Sequence, residues 1–111
     1  MVLTLTHKVN SGVSINLGTK VIHIIVKKLD LRRKSAKAIL EIRGVPGLTE
    51  VVLKRFASQK IINGLDVMIS ENQPYNSPGQ IRIGYDVKSD YHLDRRDYSQ
   101  INLDKVRKKP H

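Results

Sequence analysis

Stretch after stretch of this chain alternates in hydrophobicity with a period of two, and most of those stretches are rich in β-branched residues. "VLTLTHKV" sets Val2, Thr4 and Thr6 against Leu3, Leu5 and His7, the pattern of a strand with one face in a core and the other in water. "NSG" supplies turn chemistry after it. "VSINLG" puts Val13, Ile15 and Leu17 on one face and stops at Gly18, and "KVIHIIVKK" is a longer apolar run, so a hairpin turning at Gly18-Thr19 is expected. Three antiparallel strands then open the chain. "AILEIRG" and "LDVMIS" read as further strands, "QIRIGYDV" as one that buries Ile81, Ile83 and Tyr85, and "YHLD" as a short last one. The fold class these patterns predict is mainly β.

Other segments do not alternate. "LTEVVLKRFASQKIING" places Leu48, Val51, Val52, Phe56 and Ile62 on one helical stripe, with Thr49 as N-cap and Asn63-Gly64 as C-cap, and predicts a helix although β-branched pairs at both ends oppose it. From Arg95 onward, Tyr98, Ile101 and Val106 recur at helical spacing, which predicts a short C-terminal helix followed by a basic tail at 107–111. "ENQPYNSPG" is a loop by composition, and "VPG" at 45–47 ends a regular element. "KKLDLRRKSAK" holds six basic residues and one acid, and its Arg32, Arg33 and Lys34 are expected to form a solubilising hairpin tip.

A chain of 111 residues is one domain with a modest core, so association with a second copy is worth testing. Its formal charge of +10 favours polyanionic partners, with nucleic acid first. Without cysteine there is neither a disulfide framework nor a thiolate metal site, which suits a reducing cytoplasmic location. The opening residues do not resemble a signal peptide, and no apolar run has the length to span a bilayer, so a soluble protein is expected. The chain has no Trp and a single Phe, too few aromatics for a broad base-stacking platform, so strand edges and backbone would have to do most of any RNA reading.

Two segments resemble the carbon storage regulator (CsrA/RsmA) family of small RNA-binding translational regulators. "LTLTHKVNSGVSINLG" is similar to that family's opening strand, short turn and second strand ending in Gly. "GQIRIGYDVKSDYHLDRRDY" is similar to its fourth strand, loop, short fifth strand and the arginine that begins its helix. The resemblance covers residues 1–26 and about 80–98. It implies a small strand-swapped antiparallel β barrel or sandwich with a short C-terminal helix, spanning 1–106, with 27–79 either an inserted, helical segment or a second fused copy. In the fused alternative, Leu53, Lys54 and Arg55 echo Leu5, Thr6 and His7 and the chain is a pseudo-dimer; otherwise it pairs as a homodimer. The helical stripe and its caps favour the insertion.

The resemblance further implies that Arg95 lies beside the first strand of a partner half and that Leu5, Thr6 and His7 join it in an edge that receives a GGA-containing RNA loop. Lys8, Val87, Lys88, Tyr91, Leu93 and Arg96 complete the implied RNA-binding set. A guanidinium and backbone amides held on a rigid strand suit the donors and acceptors of guanine and attract phosphate as well. The chain departs from the family at the "DVKSD" loop, at Asp94, where a His is usual, and at Arg96, where an acid is usual. The plainer reading pairs Arg95 and Arg96 with Asp94 and Asp97 on one helical turn. The tail cations Lys105, Arg107, Lys108 and Lys109 either touch phosphate or form a solvated run.

His92 between Asp90 and Asp94 offers one imidazole, a weak metal site. Asp90, Asp94 and Asp97 lack a nucleophile, a phosphate-cradling loop and a pocket, so no enzyme activity and no cofactor are expected. The expected function is post-transcriptional regulation through GGA-type sites in mRNA leaders or small RNAs. The alternative is a protein-interaction or assembly module on a CsrA-like scaffold without sequence-specific RNA binding; a third possibility is non-specific RNA coating.

Overall fold

The computed structural model describes residues 2–30, 36–71, 79–88 and 90–97. These form β1 (Val2–Lys8), β2 (Ser11–Asn16), β3 (Val21–Asp30), β4 (Lys37–Arg43), β5 (Glu50–Lys54), β6 (Ser58–Ile62), β7 (Leu65–Glu71), β8 (Gln80–Val87) and β9 (His92–Asp97). Every pairing is antiparallel, in a four-stranded sheet ordered β1-β8-β7-β6 and a five-stranded sheet ordered β5-β4-β3-β2-β9. The alternation explains the layers. Ile22, Ile24 and Val26 of β3, Ala38, Leu40 and Ile42 of β4, Leu65, Val67 and Ile69 of β7 and Ile81, Ile83 and Tyr85 of β8 meet in one core between the sheets. Each such aliphatic side chain contributes roughly 1.5–3 kcal/mol by leaving water.

The first four strands and the next four repeat one pairing scheme. Val26 faces Leu40 and Lys28 faces Ile39, with a bulge between; in the same way Ile69 faces Ile83 and Glu71 faces Arg82. Gly12 pairs with Ile25 as Ser58 pairs with Met68, and Lys8 pairs with Gln80 as Lys54 pairs with Lys37. The turn residues Asn10 and Phe56 also correspond, and both have positive φ, 72° and 65°. Each half lends its first strand to the other half's sheet: β1 to β8 and β5 to β4. The halves differ at one point. β9 lies beside β2, whereas among the described residues β6 has no neighbour but β7.

Several expectations are corrected here. Residues 48–62 are not helical: they form β5 and β6. The proposed stripe is divided, because Val51 is buried while Val52 and Phe56 of the same stripe are exposed, so pairing with β4 and β7 outweighs the local helical spacing. Asn63-Gly64 is a hairpin turn between β6 and β7 with Gly64 at φ 90°, a job Asn-Gly does as readily as capping. The echo across halves is shifted by two residues, so that Leu53 corresponds to His7 and Val51 to Leu5. Arg95 does not begin a helix but continues β9 to Asp97, held by the ladder to β2; the rest of the predicted C-terminal helix lies outside the described residues. β1 pairs with β8 rather than with β2, so the opening is one hairpin, β2–β3, preceded by a strand given away. That hairpin closes as expected, with Leu17 N–H donating to Lys20 O at 2.9 Å. β4, β7 and β8 follow the predicted strands. The cations Arg32, Arg33 and Lys34 and the loop at 72–78 lie outside the described residues. No helix among the described residues is long and apolar enough to cross a membrane.

Gly12 is where β2 lies tightest against the backbone of β3. A Cβ there would sit 1.8 Å from Ile24 O and 2.8 Å from Ile24 C, backbone atoms of the adjacent strand that cannot swing away. Gly12→Ala is therefore expected to cost about 3 kcal/mol or more by overpacking, read as a loss of denaturation midpoint. Gly18→Ala, in open space at φ 94°, should cost only about 1–2 kcal/mol of backbone strain. Equal losses would contradict this packing.

Candidate nucleic-acid interface

β1 ends one sheet and β9 ends the other, and β2 ties them together. β2 leaves β1 through the turn at Val9-Asn10, where Asn10 N–H donates to Val26 O at 2.7 Å, and then hydrogen-bonds β9 along its length. The register places Leu93 opposite Ile15 and Arg95 opposite Val13. Ile15 and Val13 look into the core, so Leu93 and Arg95 share that face. Leu93 packs against the core, and Arg95, nearer the β1–β2 turn, is exposed. Its charge bears on the ring of His7.

His7 is the hinge pin of this edge. Its side chain is only 1% exposed. Ser11 Oγ lies 3.2 Å from Nδ1 and Tyr85 Oη 2.7 Å from Nε2, so a neutral ring satisfies both nitrogens, one as donor and one as acceptor. Tyr85 meets the imidazole edge-on, with ring centroids 5.8 Å apart. Ser11 Oγ also accepts from Lys8 N–H at 3.1 Å, which closes the β1–β2 corner. Burial first, and the Arg95 guanidinium second, lower the His7 pKa from 6.5 to about 4. His7 thus serves the edge from inside, and what it offers a ligand is its backbone.

The expected site residues divide into groups. Leu5, Thr6, His7 and Lys8 lie on β1 at the end where Arg95 stands, Leu5 and Thr6 half-buried and Lys8 exposed. Val87, Lys88 and Tyr91 lie beyond the other end of β1, since Val2 pairs with Asp86. Val87 is buried opposite Leu65. Lys88 N–H donates to Gly64 O at 3.0 Å and Tyr91 Oη donates to Asn63 O at 3.2 Å, so this loop is fastened to the β6–β7 turn. Lys88 Nζ lies 6.0 Å from the Tyr91 ring centre. Arg96 pairs through its backbone with Gly12; its side chain is outside the described part. Asp94 faces away from Arg95, with His92 Nε2 at 3.4 Å, and among the described residues no ion pair ties down Arg95. No group of three metal-ligating side chains occurs among the described residues.

Ser11 and Tyr85 are the members that sequence reading missed. Tyr85 was legible only as a core residue, yet a core tyrosine needs a partner for its hydroxyl, and a histidine on an alternating strand is a fair candidate. Compared with known proteins, the chain matches no family model, no curated protein and no solved structure.

The lowered pKa makes stability depend on pH with a definite sign. The unfolded chain binds a proton at His7 near pH 6.5 and the folded chain only near pH 4, so this contribution is complete above pH 6.5 and is lost as pH falls toward 4. Between pH 7 and pH 5 the folded state should lose about 2 kcal/mol from this residue, and His7→Gln should flatten that part of the profile. Denaturant melts at both pH values check it; an unchanged slope in the variant would show that other groups govern it.

Proposed function

We propose that this chain is a post-transcriptional regulator that binds an unpaired GGA-type segment in mRNA leaders or small RNAs along the β1–β9 edge. It acts by occupancy, blocking ribosome access or changing message lifetime. The observation that carries the reading is Arg95: β9, distant in sequence from β1, pairs with β2 and holds an exposed guanidinium opposite Val13, close enough to β1 for its charge to bear on His7. β1 offers the outer backbone groups of an edge strand, and these together with a fixed guanidinium match the edges of guanine while Lys8 and the net charge of +10 attract phosphate.

The resemblance to the CsrA/RsmA pattern agrees with this arrangement, since each half lends its first strand to the other as a strand-swapped pair would. In this reading the chain is a pseudo-dimer built from two fused copies, the first β1–β4 and the second β5–β8. Among the described residues only the first half's edge has a further strand, β9, beside it, so the expected stoichiometry is one specific RNA per chain.

Arg95→Ala should weaken binding of a GGA hairpin at least about tenfold in a gel-shift assay, the scale of a guanidinium contact to guanine. Unchanged affinity would remove the site from this edge, and equal affinity for a hairpin lacking GGA would favour non-specific coating. The complex should have one RNA bound to one 12.6 kDa chain. Two RNAs per chain would refute the single-site reading, as would a specific complex formed only by a dimer of chains.

A further inference from the structure

The side of the molecule opposite the β1–β9 edge is built differently. There β5 takes the place of β1, and where the first half has Asn10 in its turn the second half has Phe56. Phe56 is the only phenylalanine of the chain and is 88% exposed. Its φ of 65° is a conformation that costs a bulky residue about 1–3 kcal/mol and that persists only where the surroundings impose it. The Arg55 guanidinium lies over the ring, 4.6 Å from its centre. Arg55 N–H donates to Ala36 O at 3.1 Å, which sets this turn against the start of β4.

Beside the turn, the outer face of the five-stranded sheet carries Lys54 directly opposite Lys37, both exposed. Like charges facing across a ladder repel. Val52 faces Ile39 one step further along, and Lys28 faces Ile39 from β3. Asp30, opposite Lys37, is the carboxylate beside Lys28, Lys37 and Lys54, and Glu41 and Glu50 face each other one step beyond Ile39 and Val52. A groove of about 250 Å³ is lined by Lys28, Asp30 and Lys37 with the apolar Ile39 and Val52, and Val52 is 41% exposed. An exposed aromatic face, stacked with a guanidinium and bordered by clustered lysines and apolar side chains, matches the alternating charge and flat apolar bases of an unpaired nucleic-acid strand.

We propose that the β5–β6 turn and the adjoining face of β3, β4 and β5 form a second RNA contact, in which one unpaired base stacks on Phe56 and the neighbouring phosphates meet Lys37, Lys54 and Lys28. It reads no sequence, because every base has a stacking face; it holds single-stranded RNA flanking the segment bound elsewhere. The inference rests on the reading that the chain binds RNA, though not on the β1–β9 edge being the specific site.

The chain has no Trp, so Phe56→Trp places a single fluorophore at the proposed stacking point of the full-length protein. Titration with oligouridine of about ten nucleotides should quench that fluorescence. By anisotropy, Phe56→Ala should bind labelled oligouridine about tenfold more weakly than wild type, the loss expected for one stacked base. Lys37→Gln with Lys54→Gln should reduce the slope of log affinity against log salt by about 1.4, two phosphate contacts on a single strand. Arg95→Ala should leave the oligouridine quench in place while losing the GGA hairpin, which separates this proposal from the preceding one. It is overturned if oligouridine causes no quench, if Phe56→Ala binds oligouridine as wild type does, or if oligoglutamate quenches equally, the last assigning the face to an acidic protein. Circular dichroism of each variant checks that the β fold is retained.

Discussion

The ladder between β1 and β8 is the constraint from which the rest of the structure follows. It joins the first strand of the chain to one that begins at Gln80, and its counterpart joins β4 to β5. Because each half surrenders its first strand, neither sheet is complete without the other half, and the core between them closes only once both exchanges are made. Stability and folding therefore depend on pairings distant in sequence, whose loop-closure entropy must be met before the apolar contacts offset it.

The same exchange positions the candidate site. With β1 moved to the other sheet, the short β1–β2 turn has to bridge the layers, and the Ser11–His7–Tyr85 hydrogen bonds fasten that corner from within. β2 is then free along its outer side, and β9 fills it, bringing Arg95 to His7. On the opposite side no such strand lies beside β6 among the described residues, and the corresponding turn carries Phe56 and Arg55 in place of Asn10 and its neighbour. One internal repeat thus yields two chemically distinct sides: an ordered backbone edge with a guanidinium, and a cationic face with one aromatic ring.

Where reading the sequence failed, a local signal had two physical meanings. The residues from Leu48 to Ile62 satisfy a helical stripe, but Val51 and Leu53 also satisfy a strand, and β4 was waiting for a partner that only the tertiary fold reveals. Asn63-Gly64 serves a helix end or a hairpin equally well. At Arg95 the expected helix start gives way to a strand because β2 has an unpaired edge there. By contrast Ile81, Ile83 and Tyr85 were legible as buried residues, since alternation on an interior strand has no competing explanation.

What the sequence by itself determined is the material: alternating β-branched strands, the turn at Gly18-Thr19 and a formal charge of +10. Those properties are local, set by side-chain period and by backbone preference. Which strand pairs with which was decided only in three dimensions, because hydrogen bonds between strands carry no mark in either sequence alone. Tertiary structure therefore decided that β1 and β5 change sheets, that His7 turns inward to Tyr85, that Arg95 stands beside β1, and that Phe56 is left exposed at a turn beside paired lysines.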